Sequence, residues 1–200
     1  MPKLESPFVR RKNDKGNFVV FPEIAEGYSW VLVDEQVLAT EKLPGTNILT
    51  VLRDGRIKSI WNRGEEIPFF RGTHRRLIDG LLNAFPRGYC SLPDGQWFGE
   101  LIGPEIDGNH LNLDENLWIP FDTYAREKLS YKSWGKHPKT FEGISEWFKD
   151  GPRSLMMLMR GIKDVKVEGV VFVQPSTGKM AKLRRDMFDW YDGRGHKEAK

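Results

Sequence analysis

The chain has 200 residues, of which 39% are hydrophobic and 12% aromatic, enough to bury a sizeable core. Its formal net charge of +3 excludes a protein that binds nucleic acid by bulk charge. Phosphate contacts must therefore come from local basic clusters, at residues 10–12, 71–76 and 179–185. The single cysteine, Cys90, excludes an intramolecular disulfide and fits a reducing compartment.

The sequence contains no signal peptide and no apolar run of membrane-spanning length. We therefore expect an intracellular protein in the cytoplasm, with the nucleus as the alternative. There is no repeat, low-complexity tract or long linker, which favours one domain over residues 1–200. Within it, residues 1–16 are expected to be loosely held and residues 193–200 to form a flexible tail.

Strands dominate the predicted elements. β-Branched and aromatic residues between turn signals predict strands at residues 17–21, 29–34, 37–40, 47–53, 56–62, 96–102, 117–122, 165–173 and 179–184. Three helices are predicted between them. Thr73 is a suitable N-cap for an apolar stripe from Leu77 to Phe85, and Thr140 caps a second stripe over residues 141–148. A third helix runs from Ser154 to Met159, and we expect its methionines to fill the core.

This mixture of elements predicts an α+β domain of antiparallel sheets flanked by a few helices. Two hairpins fix parts of its geometry. A two-residue turn at Asp54-Gly55 predicts an uninterrupted register that pairs Thr46 with Arg63. That register returns Arg63 to the loop after Lys42, where its guanidinium can bind a phosphate or a ribose hydroxyl. The alternative is a surface arginine that pairs with the glutamates following it.

The second hairpin joins the strands at residues 165–173 and 179–184. A five-residue connection, 174–178, pairs Glu168 with Arg184 and puts Lys182 on the same face. A four-residue connection would move Glu168 to the opposite face. We predict the five-residue form, with Gly178 at a positive φ.

The most informative motif is EKLPGTN, at residues 41–47. A β-prone run delivers Lys42 to a turn, and Pro44-Gly45 ends the strand directly after it. A lysine at a strand end, beside a glycine that lets a ligand approach, can act as a covalent nitrogen nucleophile. For this short pattern alone, the alternative is an ordinary surface lysine.

EKLPGTN resembles the first motif of type-2 RNA ligases. These belong to the covalent nucleotidyltransferase superfamily with DNA ligases and mRNA-capping guanylyltransferases. Counterparts of the later motifs follow in the family's order, at Arg63 in 61–64, Glu100 in 98–104, Phe121 in 121–122, Glu168 in 168–172, and Lys182 with Arg184 in 182–184. The resemblance covers about residues 37 to 185 and depends on the ordered set, since each motif alone is weak. It implies the nucleotidyltransferase fold, an ATP-grasp-like ligase adenylation domain.

The resemblance also implies the activity of an ATP-dependent RNA ligase. Lys42 takes AMP from ATP, the AMP passes to an RNA 5′-phosphate, and a 3′-hydroxyl displaces it to seal the strand. The implied catalytic residues are Lys42, Lys182 and Arg184. The implied nucleotide-binding residues are Glu41, Gly45, Thr46, Arg63, Glu100, Phe121, Glu168, Lys182 and Arg184. Glu100 is expected on the ribose and Phe121 on the adenine.

The expected cofactors are ATP and Mg²⁺ or Mn²⁺. Lysine attacks phosphorus as the neutral amine, and burial and nearby positive charge favour that form. Lys182, Arg184 and the divalent cation would supply the charge. Asn47 and Glu168 would hold the cation through its hydration shell, because magnesium prefers oxygen ligands and keeps several waters. We therefore expect Glu168 to be a ligand in the metal shell and not a bare neighbour of Lys42.

Two departures from the family pattern refine the prediction. Position 44 is proline where many DNA ligases and capping enzymes carry aspartate, which favours the RNA-ligase branch. Arg184 stands where the family usually has a second lysine.

Only sixteen residues follow Arg184, so we expect no oligonucleotide-binding or helical C-terminal domain. RNA ends must then bind to the chain's own surface or to an accessory RNA-binding protein. The alternatives are a DNA nick ligase, a guanylyltransferase, or a non-catalytic RNA-end binding module.

Overall fold

The computed structural model describes residues 3–69, 72, 75–84 and 92–193. Thr73, Phe85 and Cys90, together with Arg71 and residues 194–200, lie outside them. The fold divides the chain into two compact units. The internal unit is formed by Leu43–Lys128, and the flanking unit by Lys3–Lys42 together with the chain from Leu129 onward. That the whole chain acts as one domain stays a prediction.

The described strands, in chain order, are β1 (Phe8–Lys12), β2 (Phe18–Ile24), β3 (Leu38–Lys42), β4 (Thr46–Arg53), β5 (Arg56–Asn62), β6 (Glu65–Glu66), β7 (Gly95–Ile102), β8 (Leu117–Pro120), β9 (Gly169–Val173) and β10 (Met180–Arg184). The described α-helices are α1 (Trp30–Val33), α2 (Arg75–Ala84), α3 (Thr123–Lys128), α4 (Phe141–Asp150) and α5 (Leu155–Met159). The predicted mixture of antiparallel sheets with a few helices is confirmed. None of the helices in the described ranges is both long and apolar enough to cross a membrane.

The internal unit is built on a five-stranded antiparallel sheet in the order β6-β5-β4-β7-β8. Helix α2 buries Leu77, Leu81 and Ala84 against one face of this sheet, as its apolar stripe predicts. The sheet residues on that face come from alternate positions, among them Ile48 and Leu101. The opposite face of the sheet carries Asn47 and Glu100 next to the apolar pair Leu49 and Phe98.

The flanking unit contains the antiparallel sheet β10-β9-β3 and the two-stranded ribbon β1–β2. Aromatic residues from α4 and from the loops fill its core, and Trp134, Trp147, Phe148 and Phe172 are all buried there. Helix α4 begins as predicted, because the side chain of Thr140 accepts a hydrogen bond from Gly143 N.

Three local predictions were wrong. The strand expected at residues 29–34 is helix α1, in which Asp34 N donates to Trp30 O at 3.1 Å. A short apolar run does not distinguish a strand from a buried helical turn. Residues 1–16 are not all loosely held, because β1 pairs with β2 and Phe8 is only 2% exposed. In α5, Met156 and Met157 are buried as predicted, whereas Met159 is 56% exposed.

The hairpin β4–β5 starts in the predicted register and then departs from it. Arg53 lies opposite Arg56, but a bulge between Val51 and Leu52 shifts the pairing by one residue. The predicted pairing of Thr46 with Arg63 is therefore absent. Arg63 instead forms the two-residue turn to β6 with Gly64, at φ values of 50° and 89°.

The hairpin β9–β10 also differs from the prediction by one residue. Met180 pairs with Val173, so the connection is 174–179 and not 174–178. Gly178 nevertheless has a positive φ of 71°, as expected. The backbone partner of Glu168 is Arg185 and not Arg184. The N–H of Arg185 donates to the carbonyl oxygen of Glu168 at 3.0 Å. Strand β9 begins only at Gly169, so Glu168 lies in a bend just before it.

Candidate active site

Cationic side chains gather on one face of the β3–β9–β10 sheet. The register places two rows of residues across the three strands on this face, Lys42–Gly169–Arg184 and Thr40–Val171–Lys182. We call this surface the cationic face. Lys182 and Arg184 project from alternate positions of one strand, as predicted. Lys42, from a distant part of the sequence, lies in the same row as Arg184 because both pair with Gly169.

Lys42 is held in an ion pair. Its Nζ lies 2.6 Å from Glu168 Oε2, and its side chain is 21% exposed. The other oxygen of Glu168 lies 3.6 Å from Arg184 Nη1, and Arg184 Nη2 contacts Asp186 Oδ2 at 2.8 Å. Glu168 is thus a direct neighbour of Lys42, and its expected place in a metal shell stays a prediction. The carboxylate bridges two of the predicted catalytic cations.

The bend at Glu168 explains this contact. In a regular strand that pairs residue 168 with Arg185, the side chain would point to the core face, away from Lys182. Because Glu168 precedes β9, it is free of that alternation, and its carboxylate turns to Lys42 and Arg184. The predicted register is wrong, yet the predicted gathering of Glu168 with the cations is present.

Gly169 leaves room between the two strands that carry Lys42 and Arg184. A Cβ atom at this position would lie 2.8 Å from Arg184 Cα and 3.1 Å from Arg184 Cγ, and against the carbonyl oxygen of Leu183. No side chain fits there without moving β10. The glycine therefore allows the Arg184 side chain to lie across the sheet towards Glu168. The sequence motif contains Gly169, but the spacing alone did not indicate this role.

Lys182 has neighbours that the sequence did not suggest. Burial, followed by the positive charges of Arg184 and Lys42, lowers the pKa of Lys182 below its usual value, while Glu5 acts in the opposite direction. Lys182 N also donates to Glu5 O at 2.9 Å, so the N-terminal segment runs along the edge of β10. The apolar pair Phe8-Val9, directly before the basic cluster at residues 10–12, was the signal that this segment is ordered.

Glu41 lies on the other face of the sheet from Lys42. Its side chain is 5% exposed and accepts hydrogen bonds from Ser154 Oγ at 2.5 Å and from Met156 N at 2.9 Å. Burial raises the pKa of Glu41, and the hydrogen bonds from Ser154 and Met156 only partly oppose this. The predicted role of Glu41 in nucleotide binding stays a prediction, and its carboxylate is already engaged inside the flanking unit.

A second set of predicted site residues lies on the face of the internal unit's sheet that is opposite helix α2. Asn47 is directly opposite Glu100 in the β4–β7 pair, and its Nδ2 donates to Gly99 O at 3.3 Å. Phe121 N donates to Phe98 O at 2.8 Å, which continues the β7–β8 ladder and puts the half-buried Phe121 on the same face as Glu100. Three of the predicted residues are therefore brought together within this unit.

The remaining predicted residues of the internal unit have other surroundings. Gly45 packs so closely on β7 that a Cβ would lie 2.8 Å from Ile102 Cγ2 and 3.0 Å from Glu100 Cγ. Thr46 pairs with the buried Leu101 and therefore belongs to the opposite face from Asn47. Arg63 is exposed in the turn between β5 and β6. Its predicted contact with the nucleotide stays a prediction.

The residues on the cationic face fit a nucleotide polyphosphate better than a metal ion alone. In the described part of the chain, no three Asp, Glu, His or Cys side chains form a group that could hold a metal ion. Lys42 and Arg184 contact the carboxylate of Glu168, and the charges of these two residues also act on Lys182. This donor set suits phosphoryl oxygens. It also suits a magnesium or manganese ion that takes most of its ligands from water and phosphate.

No protein-family model and no curated protein matches the sequence. Solved structures of Naegleria gruberi RNA ligase are similar. A mutant with AMP and Mn has 20% identity and a TM-score of 0.44, over 74% of this chain and 49% of that one. A complex with pyrophosphate has 21% identity and a TM-score of 0.45, over 74% and 49%. Another mutant with AMP and Mn has 17% identity and a TM-score of 0.46, over 90% and 59%.

The chain thus spans about half the length of the first of these solved chains. They are structures of an RNA ligase, the class that the ordered motifs resemble. At these identities and TM-scores, the likeness assigns no role to any residue of this chain.

Proposed function

We propose that this protein is an ATP-dependent RNA ligase in which Lys42 is the residue that carries AMP. The observation that supports this most strongly is the composition of the cationic face. Four residues from three separate motifs meet there, namely Lys42, Glu168, Lys182 and Arg184. A surface lysine without a chemical role needs no such surroundings. The order of the motifs along the sequence supports the same reading.

The first step is attack by the neutral Nζ of Lys42 on the α-phosphorus of ATP. A nitrogen–phosphorus bond forms, and the bond from the α-phosphorus to the oxygen that bridges it to the β-phosphate breaks. Pyrophosphate leaves with that electron pair, and the amine proton passes to solvent. Lys182 and Arg184 stabilise the charge that builds on the phosphoryl oxygens, because both are in position before the reaction starts.

Glu168 has to release Lys42 before this attack. In the ion pair, Lys42 Nζ lies 2.6 Å from Glu168 Oε2, and this contact occupies the atom that has to reach the phosphorus. Arg184 already contacts the second carboxylate oxygen and provides Glu168 with another partner. Glu168 in the flanking unit and Asn47 in the internal unit are each proposed to bind Mg²⁺ or Mn²⁺ through water. When bound, such a cation offsets the negative charge of the phosphates.

The later steps transfer the AMP to RNA. The 5′-phosphate of one RNA end takes AMP from Lys42, and the 3′-hydroxyl of the other end attacks that phosphate and displaces AMP. In the internal unit, Glu100 would bind the ribose and Phe121 would stack on the adenine. RNA ends, with or without an accessory RNA-binding protein, are the proposed partners.

Covalent labelling tests the proposal. The protein is incubated with magnesium and α-labelled ATP or GTP, and label that survives denaturing electrophoresis is measured. We expect label from ATP that is absent in Lys42→Ala. Lys149→Ala is a matched control, because Lys149 Nζ also lies 2.6 Å from a glutamate oxygen, that of Glu146 on α4.

The other outcomes would contradict the proposal. Label from GTP alone would indicate a guanylyltransferase. Absence of label with both nucleotides would favour a non-catalytic RNA-end binding module. If ATP labels Lys42, nicked duplexes of RNA and of DNA then distinguish an RNA ligase from a DNA nick ligase.

A further inference from the structure

Glu41 is a buried carboxylate that the proposed chemistry does not use. It precedes the nucleophile in the sequence, but its side chain belongs to the core face of the sheet. There it accepts hydrogen bonds from Ser154 Oγ at 2.5 Å and from Met156 N at 2.9 Å. These contacts link the end of β3 to the first residues of α5.

The backbone of Glu41 is also held. Its N–H donates to Leu129 O at 2.7 Å, and the residue pairs with Val170 of β9. Glu41 is therefore attached to three separate segments of the flanking unit. Lys42 and the Leu43-Pro44-Gly45 turn follow Glu41 directly in the chain.

The segment that Glu41 binds is itself fixed. Ser154 is 1% exposed, its N–H donates to Val165 O at 2.7 Å, and its Oγ accepts from Met157 N at 3.2 Å. Ser154 Oγ thus caps α5 and donates to Glu41 at the same time. An anchor for β3 needs such a partner, because attachment to a mobile segment would not restrict the strand.

Burial of this carboxylate does not serve stability alone. Burial raises the pKa of Glu41, which means that the fold disfavours its ionised form in spite of the hydrogen bonds. An apolar residue of similar size would avoid the cost of taking a carboxyl group out of water. A buried acid next to a nucleophile therefore indicates a role in the site.

We propose that Glu41 is a positioning residue, which fixes the end of β3 through Ser154 and Met156 and so sets the direction in which Lys42 projects from the opposite face. This inference rests on the proposed function, because it concerns the same nucleophile. Loss of the anchor lets the backbone at Lys42 move, and a misplacement of about 1 Å can slow a positioned reaction by about a hundredfold.

Single-turnover adenylation tests the inference with two variants and one control. Glu41→Gln and Ser154→Ala each remove part of the anchor. Thr140→Ala removes the comparable cap of α4, where Thr140 accepts from Gly143 N and has no described contact with β3. We expect the rate constant for labelling Lys42 to fall by about tenfold to hundredfold in the two anchor variants. The labelled fraction at completion and the rate in Thr140→Ala should stay at the wild-type level.

A merely structural role gives a different result. Variants that only lose folded protein would show a lower labelled fraction with an unchanged rate constant, and this would overturn the inference. Hydrogen exchange of a peptide covering residues 38–45 provides a second measurement that needs no activity. We expect exchange at least about tenfold faster in Glu41→Gln and Ser154→Ala than in Thr140→Ala. Equal exchange in all three would also overturn the inference.

The two measurements separate this inference from the proposed function. If the wild-type protein takes no label, the proposed ligase activity fails. Hydrogen exchange still decides whether Glu41 anchors β3.

Discussion

The two faces of the β3–β9–β10 sheet differ in charge and in exposure to solvent. The cationic face presents Lys42, Lys182 and Arg184, which are partly exposed and charged. The opposite face presents the core residues Ala39, Val170, Phe172, Ala181 and Leu183, each no more than 1% exposed. Because successive side chains of a strand alternate, the same fifteen residues carry both sets. The comparison teaches that substitutions on the cationic face should leave stability nearly unchanged, whereas the core face carries the stability of the sheet and, at Glu41, the proposed anchor of Lys42.

Lys42→Ala should give the largest effect on the cationic face. We expect labelling by ATP to disappear, because no other residue in the row supplies a nucleophile at this position. The free energy of unfolding should change by only about 0–1 kcal/mol, as for other partly exposed ion pairs. Labelling and chemical denaturation are measured on the same preparation. A variant that unfolds readily would show that the cationic face also determines stability.

Phe172→Ala should give the largest effect on the core face. Phe172 is 0% exposed and its ring centroid lies 4.8 Å from that of Trp134, so we expect a loss of about 3–5 kcal/mol in the free energy of unfolding. Val171→Ala is the matched control, because Val171 lies in the same strand on the cationic face and is only half-buried. It should cost less than about 1.5 kcal/mol. Equal losses in urea denaturation would contradict the division between the two faces.

Lys182→Arg should change the pH dependence of labelling. The pKa of Lys182 is lowered by burial and by the charges of Arg184 and Lys42. Its side chain therefore loses its positive charge at a lower pH than an ordinary lysine does. In the wild type, the labelling rate should therefore decline as the pH rises through this lowered pKa. An arginine stays charged above pH 12, so the decline should move to higher pH in the variant. Identical profiles between about pH 7 and 11 would exclude a role for the Lys182 charge.

Glu41→Gln should give the smallest effect, on the pH dependence of stability. A carboxyl group whose pKa is raised on folding binds its proton more tightly in the folded state. Its contribution to stability is therefore complete below the usual pKa of 4.5 and is lost as the pH rises through the raised value. As the pH rises through that window, the free energy of unfolding of the wild type should fall relative to that of Glu41→Gln. A difference that does not change with pH would contradict the burial of an ionisable group at Glu41.

The sequence predicted the parts of this site that follow from local patterns. The strand before Lys42, the alternation of Lys182 with Arg184, the cap at Thr140 and the turn glycine Gly178 all have clear local signals. The class of fold also follows, because strands with few helices favour antiparallel sheets.

The sequence did not predict features that depend on a shift of one residue or on distant packing. The bulge in β4–β5 changes no local propensity, yet it removes the predicted pairing of Arg63 with Thr46, and Arg63 lies in a turn. The bend at Glu168 turns its side chain to Lys42 although the register alone would turn it away. The burial of Glu41 against Ser154 joins residues 113 positions apart, and no short pattern encodes such a contact.

Mapping of the covalent product on the wild-type protein tests the central claim most directly. The protein is incubated with ATP and magnesium, digested, and analysed by mass spectrometry for a peptide that carries AMP. Our account predicts AMP on the side-chain nitrogen of Lys42, removed again when excess pyrophosphate reverses the reaction. AMP on a different lysine, or unmodified Lys42 under conditions where the protein seals RNA, would contradict it.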